Sequence, residues 1–167
     1  TLEISDDYVI NKTTYYRIKF PVEISLAVLR DCALLPPNGE LTFVTNIDSN
    51  IVADDETKKS FIKGAYIGCA TSSIKQSELG SQSPTTGYHV EFASHKREFL
   101  EDLQSLLQHF EITCKIATRK KLFVLYLKDS EAIKDLLALI GAEQSVLDLS
   151  DEMAKRDLRN TVNRQVN

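Results

Sequence analysis

Residues Phe61 to Ala70 read FIKGAYIGCA, and this is the most informative element of the sequence. It lies in a predicted helix from about Glu56 to Ala70. Gly64 and Gly68 lie four residues apart and share one helix face beside Ala65. Because a glycine inside a helix costs about 1 kcal/mol relative to alanine, two of them indicate a face kept small for close helix packing. Two tolerated glycines in an ordinary helix are the alternative.

The flanking segments alternate between strand and helix patterns. Period-2 alternation predicts strands at 2–9, 15–20, 88–93, 112–118 and 122–128, with a short strand near 73–77. One helix is predicted to begin at Pro21. Three more are predicted to follow the capping residues Asp54-Asp55, Ser94 and Asp129-Ser130, and two last helical segments are predicted at 145–149 and 150–166. This order predicts an α+β fold in which hairpins form an antiparallel sheet with helices on one face.

Composition is that of an ordinary globular protein. The chain has 167 residues, 43% hydrophobic and 26% charged, which is enough for one domain or two small ones. No apolar run approaches the roughly 18 residues of a membrane span. The net charge of −4 argues against a dedicated nucleic-acid module. Residues 1–112 carry −6 and residues 113–167 carry +2, so any polyanion contact is expected in the last third.

No pattern of residues indicates catalysis. The three cysteines lack CxxC spacing and are interpreted as free, buried thiols of a cytoplasmic protein. The three histidines show no metal-ligand spacing, and GxSxG, HExxH, P-loop and GxGxxG motifs are absent. The sequence therefore predicts no catalytic, cofactor-binding or metal-binding residue.

The chain also contains an internal repeat. Three residues of the first hairpin-helix unit match three of the last at an offset of 108 positions: Glu23, Val28 and Leu29 match Glu131, Leu136 and Leu137. A repeat of this length predicts duplication of a whole α+β unit. The first copy is expected to be incomplete, which makes the chain a fragment.

The glycine-containing helix followed by ββαββα resembles the LAGLIDADG homing-endonuclease fold. Residues 62–70, IKGAYIGCA, align with that family's signature helix, with Gly64 on its first glycine. The resemblance implies two such helices packed across a pseudo-twofold axis, each with an acidic metal ligand near its C-terminal end. Cys69 occupies that position here, and a thiol is a poor ligand for Mg²⁺. The expected outcome is a fold that no longer cleaves DNA.

The last segment, RNTVNRQVN at 159–167, resembles the signature of the WhiA family of Gram-positive bacterial regulators. FIKGAYIGCATSS, GYHVEF and VLYLKDSEAIKDLLALIGA are similar to that family in order and spacing. The resemblance implies a degenerate LAGLIDADG domain before a helix-turn-helix domain that binds promoter DNA. It divides the chain into the second half of a first repeat plus linker (1–53), a second repeat (54–149) and a linker helix (150–167).

The expected function is a non-catalytic scaffold or regulatory domain of a transcription regulator in sporulation or cell division. It would be cytoplasmic and nucleoid-associated, with weak or no DNA contact of its own. DNA is the expected partner, mainly through the helix-turn-helix domain, and no membrane partner is expected. A small-ligand or protein-interaction sensor is the alternative, and an active homing endonuclease is a third reading. We expect either that two chains pair through Gly64, Ala65 and Gly68 or that a tag or neighbour covers that face.

Candidate DNA contacts lie on exposed strand faces, at a basic hairpin tip and on the last helix. Homing-endonuclease sheets form a saddle on DNA, so the resemblance implies a role for the strand cations. Solvated surface charge is the alternative for each group. The candidates are Arg17, Lys19, Lys115, Arg119, Lys120, Lys121, Arg156, Arg159, Asn163 and Arg164.

Overall fold

A computed structural model describes residues 3–10, 13–36, 38, 40–73 and 87–166 of the chain. The chain forms two compact units, residues 1–48 and residues 49–167. The α+β class with antiparallel sheets, predicted from the sequence pattern, is confirmed.

The first unit is a hairpin followed by a helix. Strands β1 (Glu3–Ile10) and β2 (Thr13–Lys19) pair antiparallel, with an irregularity between Asp6 and Tyr8. Helix α1 (Val22–Asp31) follows directly. Pro21 is the N-cap and not a first-turn residue as predicted. Its carbonyl accepts bonds from both the backbone N–H and the hydroxyl of Ser25, which closes the first turn.

The second unit is built on a four-stranded sheet. Its elements are α2 (Asp55–Cys69), β3 (Ala70–Ser73), β4 (His89–Ser94), α3 (Arg97–His109), β5 (Lys115–Arg119), β6 (Leu122–Leu127), α4 (Ser130–Leu139) and α5 (Glu143–Val166). The strand order is β3-β4-β6-β5, and every neighbouring pair is antiparallel. Strands β4 and β6 therefore lie at the centre.

The core lies between one face of this sheet and the helices. The alternating positions Val90 and Phe92 of β4 are fully buried. Helices α2 and α3 both pack against this strand. The amphipathic stripe of α3 contributes Leu100, Leu103, Leu106 and Leu107. Helix α2 contributes one fully buried side chain, Ile62, and packs the Tyr66 ring edge-on against Phe92, with 6.1 Å between centroids.

Local side-chain bonds set where two helices begin. Asp54 accepts a bond from the Thr57 backbone N–H at 2.8 Å, and the Thr57 hydroxyl bonds back to Asp54, which forms a capping box. Asp129 accepts from the Ala132 backbone N–H at 3.0 Å. The predicted cap at Ser94 is wrong: β4 continues through Ser94, whose hydroxyl accepts from Lys96, and α3 begins at Arg97.

Two other predicted elements differ from the structure. The segments 145–149 and 150–166 form one helix, α5, because no glycine or proline interrupts residues 143–166. The predicted strand near 73–77 lies mostly outside the described residues; β3 itself ends at Ser73.

Cys32 is exposed, against the prediction of a buried thiol. Within the described residues, no helix is long and apolar enough to cross a membrane.

Candidate nucleic-acid interface on the open sheet face

The sheet of the second unit has one face turned away from its helices, which we call the open face. Directly opposed residues of neighbouring strands share a face, so Thr71, Glu91, Tyr126 and Lys115 form one row across it. The neighbouring positions complete the open face: Ser73, His89, Ala93, Ala117, Arg119, Leu122 and Val124. Four of the predicted DNA contacts therefore lie on or beside one surface: Lys115, Arg119, Lys120 and Lys121.

A single carboxylate organises this face. Glu91 accepts bonds from one guanidinium nitrogen of Arg119 at 3.0 and 3.1 Å, one to each oxygen. Nε2 of His89 lies 2.8 Å from the same carboxylate. The Glu91 side chain is 18% exposed and that of Arg119 is 64% exposed. Arg119 is thus a surface cation with an acidic partner.

The Arg119–Glu91 pair spans an intervening strand. Arg119 belongs to β5 and Glu91 to β4, and β6 lies between them. The guanidinium reaches Glu91 only if its aliphatic stem lies across β6, where Val124 is 3% exposed although it lies on the open face. An arginine stem commonly covers apolar surface in this way. The side chain consequently lies flat on the sheet.

Aromatic and basic side chains occupy the other half of the open face. The His89 and Tyr126 rings have centroids 6.4 Å apart. Lys128, just beyond β6, places its ammonium 5.2 Å from the Tyr126 centroid, within cation–π range. Lys115 is exposed at the end of the row. This half of the face therefore presents two more cations beside flat rings.

The β5–β6 turn is basic, as predicted. Arg119 and Leu122 are the last paired residues, so Lys120 and Lys121 form a two-residue loop. Lys120 has a φ of 57°, in the left-handed region. Both lysines are exposed, and they extend the cationic surface beyond Arg119.

The candidates on the last helix lie along its exposed second half. The Arg156 guanidinium lies 5.8 Å from the Tyr88 ring centroid, and Nε of Arg159 donates to the Lys155 carbonyl at 3.3 Å. Lys155 bonds to Glu152 at 2.9 Å, and that bond raises the pKa of the lysine. Asn163 and Arg164 are exposed further along. Acidic and basic residues interleave here.

Two predicted contacts belong to the first unit. Arg17 lies opposite Ser5 in the β1–β2 ladder, and Lys19 lies opposite Glu3 at its end. Lys19 is exposed. The role of Arg17 and Lys19 in DNA contact stays a prediction.

The small-residue face of α2 is open in the described part of the chain. A Cβ added at Gly64 or Gly68 would meet no atom within 4 Å, and Ile67 beside them is 77% exposed. Ala65 is half-buried. The two glycines are therefore not required by packing inside the described chain.

Cys69 ends α2 with a neutral thiol. Its Sγ bonds to the Ala65 carbonyl at 3.2 Å, and burial raises its pKa. Among the residues that the structure describes, no three histidine, cysteine, aspartate or glutamate side chains group so as to hold a metal ion. Neither feature resembles a magnesium site, which needs oxygen ligands.

A cleft of about 690 Å³ lies where the ends of β5 and β6 approach the start of α4. Lys115, Tyr126 and Lys128 line it together with the acids Glu111, Asp129, Glu131 and Asp135. Cys114 also lines it, and burial raises the pKa of that thiol to about 11. At neutral pH the thiol is protonated and is not a nucleophile. The cleft is thus a mixed-charge recess without a reactive group.

Comparison with known proteins defines the family. Residues 58–159 match the WhiA LAGLIDADG-like domain. The chain is 34% identical over its full length to the probable cell division protein WhiA of Clostridium perfringens strain SM101, of which it covers 48%. It therefore spans about half the length of the curated relatives that it matches.

Solved structures show the same fold. Full-length DUF199/WhiA from Thermatoga maritima superposes with a TM-score of 0.60 at 19% identity, over 97% of this chain and 49% of that one. The N-terminal LAGLIDADG domain of DUF199/WhiA superposes with a TM-score of 0.52 at 18% identity, over 84% of this chain and 60% of that one. The predicted LAGLIDADG-like fold is confirmed.

Sequence reasoning missed Glu91, His89, Tyr126 and Lys128 as members of this surface. A signal was present, because the alternation in YHVEFA places His89 and Glu91 opposite the buried Val90 and Phe92. Which cation Glu91 would bind could not be read from that alternation.

Proposed function

The chain belongs to the WhiA family, and on that premise we propose that it is a non-catalytic scaffold or regulatory domain of a bacterial DNA-binding transcription regulator. Its process would be cell division or sporulation, and its own DNA contact weak or absent. The main contact would be made by the helix-turn-helix domain that the family resemblance implies. The protein would act in the cytoplasm, at the nucleoid.

The observation that carries this proposal is the state of Cys69. We align Cys69 with the acidic metal ligand of active homing endonucleases. Its neutral thiol is bonded to its own helix and supplies no oxygen donor. Hydrolysis of a phosphodiester by this fold requires carboxylate-bound metal ions. The substitution therefore supports a domain that has kept the fold and lost the chemistry.

The charge distribution supports weak DNA contact. The tip lysines Lys120 and Lys121 form a small cationic area beside the Glu91-paired Arg119, on a chain of net charge −4. Few phosphates can be neutralised by so small an area, so binding would be weak and salt-sensitive, with a salt slope of about 0.9 for each phosphate contacted.

The first test is fluorescence anisotropy of the chain with a duplex of about 30 base pairs, at low and near-physiological salt, with Mg²⁺ and a cleavage gel. Weak, salt-sensitive binding or no binding, without cleavage, supports the proposal. Cleavage, or tight binding that persists at physiological salt, would overturn it.

A pair of double variants tests the location of the contact. Lys120→Ala with Lys121→Ala removes the tip cations and should reduce affinity about three- to tenfold, with a salt slope smaller by about 2. Lys58→Ala with Lys59→Ala is the matched control, because those adjacent lysines already pair with Asp55 and Glu56 on α2. Equal losses in both variants would indicate non-specific attraction.

A second candidate function is a small-ligand sensor, favoured by the cleft beside Cys114. Its lining offers two lysines and four carboxylates around the Tyr126 ring, a chemistry suited to a small zwitterionic molecule. Isothermal titration with amino acids and short peptides tests it. Saturable binding that Tyr126→Ala abolishes would favour the sensor; its absence would leave the scaffold role.

A further inference from the structure

We infer that Glu91 is an internal competitor for the DNA backbone: it holds Arg119 against the sheet and so limits the affinity of the open face for phosphate. This inference rests on the proposed function, since it concerns how the weak contact is kept weak. It assigns a regulatory role to a residue that is neither catalytic nor a DNA contact itself.

The position of Glu91 supports this role. It is the single acidic residue in the four strands β3 to β6, all of which the structure describes. Its carboxylate is 18% exposed and lies in a central strand, between Thr71 and Tyr126 of the row. An acidic residue at the centre of a surface repels any polyanion that lies flat on it.

The geometry of the pair makes competition direct. Arg119 donates to both Glu91 oxygens from one nitrogen, so its other N–H groups are available to a second anion. The Arg119 side chain is 64% exposed whereas that of Glu91 is 18% exposed, so solvent reaches the guanidinium and not mainly the carboxylate. A phosphate that approaches from solvent can therefore exchange with the carboxylate.

The surroundings confine the effect to one end of the open face. Lys120 and Lys121 follow Arg119 directly, whereas Lys115 and Lys128 share their cleft with the carboxylates of Glu111, Asp129, Glu131 and Asp135. His89 is the other titratable group against Glu91, at 2.8 Å. Removal of the Glu91 charge would thus connect Arg119 to the tip lysines as one cationic patch.

The test compares Glu91→Gln with the parent chain by anisotropy on duplex DNA across a salt series. Glutamine keeps the size of the side chain and removes its charge. Affinity at low salt should rise about three- to tenfold, and the salt slope should steepen by about 0.9, the value for one additional phosphate contact. Glu98→Gln, an equal charge change at an exposed position of α3, should change affinity less than about twofold.

A double-mutant cycle separates this role from a structural one. Arg119→Ala should change affinity little in the parent chain but should cancel the gain in the Glu91→Gln background. A gain that survives the loss of Arg119 would overturn the inference. Circular dichroism checks each variant for folding, and Glu91→Thr, a good strand former, replaces Glu91→Gln if the latter does not fold.

The remaining outcomes distinguish the two proposals. Unchanged affinity in folded Glu91→Gln, including no binding by either protein, would overturn the inference and leave the scaffold role intact. Cleavage of the duplex would overturn the scaffold role. The inference about Glu91 would still be decided by the affinities of Glu91→Gln and the parent chain.

Discussion

Nε2 of His109 lies 2.8 Å from Oδ1 of Asp55, and this contact joins the end of α3 to the start of α2. The hydrogen bond from His109 is the main reason that the pKa of Asp55 falls below its ordinary value of 3.8, with a smaller contribution from Lys58. Because the folded pKa lies below the unfolded one, the contact stabilises the fold above pH 3.8 and is lost as the pH falls through the folded value.

His109→Ala should therefore return the pKa of Asp55 towards 3.8, as measured by carbon-detected NMR titration. The parent chain should lose more stability than the variant when the pH falls from about 5 to about 2. His95→Ala replaces another exposed histidine, ahead of α3, and should leave the Asp55 titration unchanged. A parallel pH dependence in the parent chain and in His109→Ala would contradict this prediction.

Two isoleucines of α2 provide a matched test of the core. Ile62 is fully buried and Ile67 is 77% exposed. Ile62→Ala should lower the free energy of unfolding by about 2–5 kcal/mol, because it removes buried methyl groups and leaves a cavity. Ile67→Ala should change it by less than about 0.5 kcal/mol. Urea denaturation at low protein concentration measures both, and similar losses would mean that α2 does not pack as described.

Gly141 ends α4 with a φ of +76°. A β-carbon is disfavoured in that conformation, so Gly141→Ala should cost about 1 kcal/mol although no atom of the described residues lies within 4 Å of the added Cβ. Gly87→Ala is the control, since its added Cβ likewise meets no described atom within 4 Å and its φ is not in the left-handed region. Lys120 is a non-glycine residue in the same left-handed region, with a φ of 57°. Lys120→Gly should therefore leave the free energy of unfolding unchanged or raise it. Thermal unfolding of the three variants ranks them.

The small-residue face of α2 should mediate pairing of two chains. Gly64→Leu should abolish the dimer in sizing chromatography, because the leucine side chain keeps a second helix at a distance. Among the described residues, no atom lies within 4 Å of a Cβ added at Gly64. The helix propensity of leucine also favours the substitution, so the monomer should remain folded. An unchanged elution volume with Gly64→Leu would refute pairing through this face.

The three thiols should differ in reactivity. Cys32 is exposed, whereas burial raises the pKa of Cys69 and raises that of Cys114 to about 11. Since only the thiolate reacts, a disulfide reagent at pH about 8 should modify one thiol quickly and two slowly. Cys32→Ser should remove the fast phase, and Cys114→Ser should not. Three equal rates in the native protein would contradict the described burial.

The local features of this fold could be predicted from the sequence. Asp54 and Asp129 cap their helices, and alternation identifies β4, β5 and β6, because these features depend on neighbours within a few residues. The prediction failed at Ser94, where the ladder to β6 extends the strand past the expected cap. Hydrogen bonds between strands outweighed the local preference of serine.

The residue pattern was sufficient to predict the α+β class, the family and the residue types available on each strand face. Which charged side chains meet depends on the tertiary structure. Arg119 and Glu91 are 28 residues apart and His109 and Asp55 are 54 apart, and neither distance follows a helical or strand period. Strand order β3-β4-β6-β5 places one strand between Arg119 and Glu91. Because the long side chain of Arg119 lies across that strand, this predicted DNA contact also forms an ion pair with Glu91.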